Sequence, residues 1–105
     1  MIRIFQLTIF FIGFVITTQA QTIAYKTENN ISYRSGGNHE EYMKERCKLD
    51  IYFPENVDSF TTVVWFHGGG LTSGEKHIPE RLRNRKLAVV AVNYRLSPKV
   101  KSPAF

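Results

Sequence analysis

The sequence predicts an α/β fold. Three observations carry that expectation: a β-branched and aromatic run from Thr61 to Phe66, a second apolar run from Leu87 to Val92, and a glycine triplet with a polar stretch between them. Continuous apolar strands are the composition expected where both faces of a sheet are covered. Strand, glycine loop, helix and strand make a βαβ unit, so the two runs should pair in parallel.

The first 20 residues read as an export segment. Arg3 supplies a positive start, Ile4 to Ile16 is nearly all apolar, and Thr18-Gln19-Ala20 ends in a small residue suited to cleavage. The uninterrupted apolar stretch is shorter than the roughly 18 residues a membrane span needs. A cleaved signal peptide over 1–20 and one partial domain over 21–105 are therefore expected, with a retained anchor or a buried N-terminal strand as alternatives. Export implies a periplasmic or extracellular location and no stable membrane span after cleavage.

The chain of 105 residues carries a formal net charge of +5, and only one of its 14 basic residues, Arg3, lies in the export segment. The others are scattered through Lys44-Glu45-Arg46, Lys76 and Arg81 to Lys86, without the interleaved aromatics that stack bases. They read as solvated faces, and no nucleic-acid partner is expected. The single cysteine, Cys47, has no internal disulfide partner, and no paired Cys or His spacing resembles a structural metal site.

Along the remaining chain, Thr22 to Tyr33 is polar with scattered Ile and Tyr and reads as a short hairpin or irregular lead-in. Ser35-Gly36-Gly37-Asn38 is a turn cluster, after which Tyr42 and Met43 fit a strand or a brief helical turn. Cys47 to Phe53 alternates, with Cys47, Leu49, Ile51 and Phe53 on one face and Lys48, Asp50 and Tyr52 on the other, so a half-buried strand with the first set inward is expected. Pro54 lacks the amide donor and should end it. In the crossover, Ile78 and Leu82 are four apart, on one face of a helix that tolerates Pro79 only in its first turn.

The loop His67-Gly68-Gly69-Gly70 follows the first apolar strand directly. Glycines there permit backbone angles closed to other residues and let a ligand approach the main chain. Amides at the C-terminal end of a strand point into the crevice where open α/β sheets bind ligands. Two such N–H groups could receive the negative oxygen formed in acyl transfer; a tight turn with close packing is the plainer alternative. A phosphate loop fits poorly, because Gly69 and Gly74 are five apart but Glu75 stands where lysine is required. The dinucleotide pattern is incomplete, and the spacings to His39 and His77 do not support His67 as a metal ligand. No cofactor and no metal are expected; a neutral His67 bracing the loop through its ring nitrogens fits better.

Several segments in order resemble one family. Leu49-Asp50-Ile51-Tyr52-Phe53-Pro54, Val63-Val64-Trp65-Phe66-His67-Gly68-Gly69-Gly70, Ser73-Gly74-Glu75-Lys76, Val92-Asn93-Tyr94-Arg95-Leu96-Ser97-Pro98 and Ser102-Pro103-Ala104-Phe105 together resemble the N-terminal half of the α/β-hydrolase fold in its lipase/carboxylesterase branch, especially exported bacterial esterases. The resemblance implies that the amides of Gly69 and Gly70 act as oxyanion donors and that His67 supports the loop without being the catalytic base. It assigns scaffold roles to Asn93, Tyr94 and Arg95, with a packed aromatic for Tyr94 and a surface salt bridge for Arg95 as plainer readings.

The same resemblance exposes a gap. The nucleophile elbow G-x-S-x-G does not occur, and none of Ser32, Ser35, Ser59, Ser73, Ser97 or Ser102 occupies such a strand-to-helix turn. Ser73 with His77 and Glu75 is too local a set to fill the triad geometry. The expectation is thus the N-terminal part of a mixed α/β-hydrolase sheet, truncated before the elbow, from a carboxylic ester hydrolase acting by serine acyl transfer and inactive as this chain alone. Its substrate would be a small-molecule ester or an acylated carbohydrate, and its partner a complementing C-terminal portion. A non-catalytic exported fragment, or a partner-binding module completed by missing strands, is the competing expectation. Open strand edges further suggest marginal folding.

Overall fold

The computed structural model describes residues 12–34 and 40–105. The turn cluster Ser35–Asn38 and the first part of the export segment lie outside the described residues. Residues 12–20 form neither helix nor strand, and no described helix is long and apolar enough to cross a membrane. Among the described residues the elements run β1 Tyr25–Ser32, α1 Glu41–Arg46, β2 Lys48–Pro54, β3 Thr61–Phe66 and β4 Leu87–Val92, with a 3₁₀ turn at Glu80–Leu82. The architecture is α/β, a four-stranded mixed sheet in the order β1-β2-β4-β3.

The lead-in is a full strand. β1 pairs antiparallel with β2 from Tyr25↔Pro54 to Ser32↔Lys48, and a register shift between Glu28 and Ile31 absorbs the polar Asn29-Asn30 pair. Asn30 takes a left-handed backbone with φ of 57° and donates its amide to Asp50 Oδ1 at 2.8 Å. β2 pairs antiparallel with β4, and β4 pairs parallel with β3, residue for residue from Thr61↔Leu87 to Phe66↔Val92. The expected parallel pair is therefore present, and every residue of β3 has a partner in β4.

The expected crossover helix is not. Only Glu80–Leu82 makes a 3₁₀ turn; Pro79 itself is extended, at φ −60° and ψ 130°. Asn84 and Lys86 both adopt left-handed φ, at 58° and 55°, which no continuing helix can pass through. Tertiary bonds hold these breaks: Asn84 N and Oδ1 both meet Tyr52 Oη at 3.2 Å, and Lys86 N donates to Tyr25 Oη at 2.8 Å.

Those bonds also reverse the expected facing of β2. Cys47, just before the strand, is buried as expected, but within β2 the most deeply buried side chain is Tyr52, and Leu49, Ile51 and Phe53 are only half-buried. The crossover lies over the Tyr52 face, where Tyr25 stacks on Tyr52 at 4.8 Å and the Arg83 guanidinium sits 5.0 Å from its ring. On the same face, Asp50 and Lys76 form an ion pair at 2.8 Å with both side chains 13% exposed. β4 supplies the core, with Val89 and Ala91 fully buried and Ala88 nearly so.

β3 is also more open than its composition suggests. Val64 and Phe66 are 55% and 59% exposed, and only Val63 is half-buried. As the outer strand it has one sheet neighbour, and its Val64–Phe66 face continues the half-buried surface of Leu49, Ile51, Val90 and Val92.

Candidate functional site: the glycine loop after β3

At the C-terminal end of β3 the chain leaves the sheet through His67, which is 4% exposed, into exposed Gly68, Gly69 and Gly70. Two peptide planes are pinned there by their carbonyl ends. Gly68 O lies 2.8 Å from His67 Nδ1, so the ring holds the plane shared by Gly68 C=O and Gly69 N–H. Gly69 O accepts from Thr72 N at 3.1 Å, Ser73 N at 3.2 Å, Thr72 Oγ1 at 3.0 Å and Ser73 Oγ at 3.3 Å, which fixes the plane carrying Gly70 N–H. A trans peptide directs its N–H opposite to its C=O. The Gly69 and Gly70 amides consequently point away from these internal partners, and neither meets a protein acceptor among the described residues.

The turn requires its glycines. Gly69 sits at φ +126°, where a Cβ would collide with the Ser73 backbone. Gly74 sits at φ +113°, and a Cβ there would strike the His67 ring and Gly68 O. Sequence reasoning attached no such role to Gly74, whose importance depends on the return of residue 74 against residue 67.

Residues beyond β4 close on the loop from below. Tyr94 donates its hydroxyl to His67 O at 2.7 Å, and its ring stacks on the imidazole at 4.5 Å with an interplanar angle of 10°. Buried Asn93 accepts from Lys76 N at 2.6 Å and donates Nδ2 to Glu75 Oε2 at 2.7 Å. Its carbonyl receives the Tyr33 hydroxyl at 2.7 Å. Arg95 is buried, and among the described residues it forms no salt bridge and its Nε has no hydrogen-bond partner.

One side chain expected on a solvated face proves to be buried at the centre of the cluster. Arg46, at the end of α1, is 5% exposed. Its Nε donates to Tyr94 O at 3.0 Å, Nη1 pairs with Glu75 Oε1, and Nη2 donates to Gly74 O at 3.1 Å while facing His67 Nε2 at 3.5 Å. The Lys44-Glu45-Arg46 run looked solvated because helical periodicity over six residues does not reveal what the last one meets. The Asn93 amide, and then the Arg46 guanidinium, lower the Glu75 pKa against a raising effect of desolvation.

Above this base, Phe66, His67, Leu71, Tyr94 and Phe105 line an apolar recess of about 410 Å³ beside the glycine loop. Leu71 takes a left-handed φ of 64°, and its carbonyl accepts from Ser97 N at 2.8 Å. Ser73 and His77 do not come together: Ser73 Oγ turns back to Gly69 O, whereas the His77 ring meets the edge of Trp65 at 6.1 Å. No cluster of three His, Cys, Asp or Glu suited to a metal ion occurs among the described residues, and His39 lies outside them.

Residues 49–105, more than half of the chain, match the family described as BD-FAE. The chain belongs to the BD-FAE family. This is an esterase-like family of the α/β-hydrolase superfamily, so the hydrolase reading of the segments from Leu49 to Phe105 stands at that level. The matched span includes His67–Gly70, Glu75 and Asn93–Arg95, but Arg46 precedes it. No curated protein matches the chain.

Proposed function

We propose that this BD-FAE chain contributes the oxyanion side of a serine carboxylic ester hydrolase site. The observation that carries the proposal is the pair of outward-facing Gly69 and Gly70 amides, whose peptide planes are held from behind by His67 and by Thr72 and Ser73. Attack on an ester carbonyl places negative charge on the former carbonyl oxygen. Preorganised donors lower that barrier because they need no reorientation as the charge forms. His67 supports the loop; its Nδ1 side is engaged by Gly68 O and its Nε2 side faces a cation, so it is not placed to accept a proton from a nucleophile. Asn93 and Tyr94 form the base of the site, and Arg95 packs beneath it.

The sequence contains no G-x-S-x-G elbow, so the serine and its base come from residues outside these 105. The Phe66–Leu71–Tyr94–Phe105 recess favours an uncharged acyl or alcohol group, as in a small ester or an acylated sugar. Export to the periplasm or exterior fits such substrates. A second reading, a non-catalytic exported module that binds a partner completing the sheet, draws on the exposed Val64 and Phe66 of outer strand β3.

The test is p-nitrophenyl acetate hydrolysis by the chain alone and by the chain joined to the elbow-bearing C-terminal portion of a BD-FAE member. The expected result is background turnover for the first and catalysis for the second, reduced at least about 100-fold by Gly69→Pro, which removes one donor and cannot hold the φ of +126° at this turn. Turnover by the chain alone, or a joined enzyme indifferent to Gly69→Pro, contradicts the proposal.

A further inference from the structure

Arg46 lies outside the family-matched span, yet it touches His67, Gly74, Glu75 and Tyr94 around the loop. Its guanidinium offers five N–H donors in a rigid plane and no acceptor. Three of its contacts are to fixed acceptors: the Tyr94 carbonyl, the Gly74 carbonyl and the Glu75 carboxylate. The fourth decides a proton position. Gly68 O can only accept, so His67 Nδ1 carries the hydrogen; the neutral ring then has its lone pair on Nε2, toward the Arg46 Nη2 donor. An Nε2–H tautomer would set N–H against N–H on one side and a lone pair against a carbonyl oxygen on the other.

The consequence reaches the outward amides through one peptide plane. The Nδ1–H bond to Gly68 O orients the Gly68–Gly69 peptide and hence the Gly69 N–H. Arg46 simultaneously holds Gly74 O, which keeps Gly74 packed against the same ring. We propose that Arg46 is a positioning residue for the oxyanion loop, setting the His67 tautomer and thereby the direction of the Gly69 amide. It touches no reacting atom. The inference rests on the reading of Gly69 and Gly70 as oxyanion donors for its catalytic meaning, while the tautomer linkage stands on geometry alone.

The experiment uses the full chain labelled with ¹⁵N. Long-range ¹H–¹⁵N correlations of the His67 ring near neutral pH report the tautomer, and the Gly69 and Gly70 amide shifts report the loop, with Ile51 and Val90 amides as the sheet control. Wild type is expected to show Nδ1–H. Arg46→Gln should lower the Nδ1–H to Nε2–H ratio about tenfold, the scale of one charge-assisted hydrogen bond, and shift Gly69 more than Gly70. Arg46→Lys, which keeps the buried charge but not the fork, should fall between them and serves where Arg46→Gln loses the sheet. An Nε2–H ring in wild type, random-coil chemical shifts at Gly69 and Gly70 in wild type, or an unchanged tautomer in Arg46→Lys with the sheet intact overturns the proposal. Loss of the oxyanion reading would appear instead as joined-enzyme turnover indifferent to Gly69→Pro, with the tautomer result unaffected.

Discussion

Tyr94 holds His67 twice, by a hydrogen bond of 2.7 Å from its hydroxyl to the His67 carbonyl and by a ring stack of 4.5 Å on the imidazole. The two contacts grip backbone and side chain separately. Tyr94→Phe keeps the stack and removes only the hydroxyl, so a loss of about 1 kcal/mol is expected. Tyr94→Leu removes both and should cost more. Urea unfolding of the three proteins checks the order, and equal midpoints for Phe and wild type would show that the hydroxyl contributes nothing.

Gly69 and Gly70 should respond differently to alanine. At Gly70 nothing lies within 4 Å of an added Cβ, and the cost is the left-handed backbone alone, about 1 kcal/mol. At Gly69 the Cβ also meets the Ser73 backbone, so the turn itself must move. Gly69→Ala is expected to destabilise by more than Gly70→Ala and to shift the Thr72 and Ser73 amides. Circular dichroism melts and amide spectra measure both.

Asp50 and Lys76 form a largely buried pair that ties the crossover to β2. Removing one partner leaves a desolvated charge, so Lys76→Met is expected to cost about 3 kcal/mol. Adding Asp50→Asn removes that charge while retaining an acceptor for Asn30 N, and should restore most of the loss. A double variant no more stable than Lys76→Met would refute the assignment.

Glu75 should make the loop sensitive to acid. Its folded pKa is lowered, so its contribution is present above the unfolded value, about 4.3, and is lost as pH falls through the folded value. Its side chain is 71% exposed, which keeps the effect modest. Gly74 and His67 resonances are expected to shift in that acid window, and Glu75→Gln should abolish the component.

Tyr33 acts at the other end of the scale. Burial, followed by its contact with Cys47, pushes its pKa up to about 12. A folded pKa above the unfolded value means full stability below about pH 10 and progressive loss as pH rises through 12. Absorbance at 295 nm should include a tyrosinate step near 12 that Tyr33→Phe removes.

The β-branched runs at Thr61–Phe66 and Leu87–Val92 were enough to place the parallel pair, because strand propensity and glycine punctuation are local properties. Local pattern also singled out the His67–Gly70 loop, whereas Asn93–Arg95 were singled out by the family resemblance alone; Tyr94 lies against His67, and Asn93 against Glu75 and Lys76. Local patterns failed where long-range bonds chose between local options. Ile78 and Leu82 fit a helix, but Tyr52 and Tyr25 hold Asn84 and Lys86 in left-handed conformations that exclude one.

In the glycine loop, residue identity alone sets where the chain can turn, since only glycine accepts φ of +126° beside the Ser73 backbone. Tertiary structure alone decided what holds the loop. Arg46 reaches Glu75, Gly74, His67 and Tyr94 across 21 to 48 residues, and no periodicity within α1 encodes such a separation. The reason is physical: a buried guanidinium is stabilised only by acceptors assembled around it, and those acceptors meet only when β3, β4 and the crossover have paired.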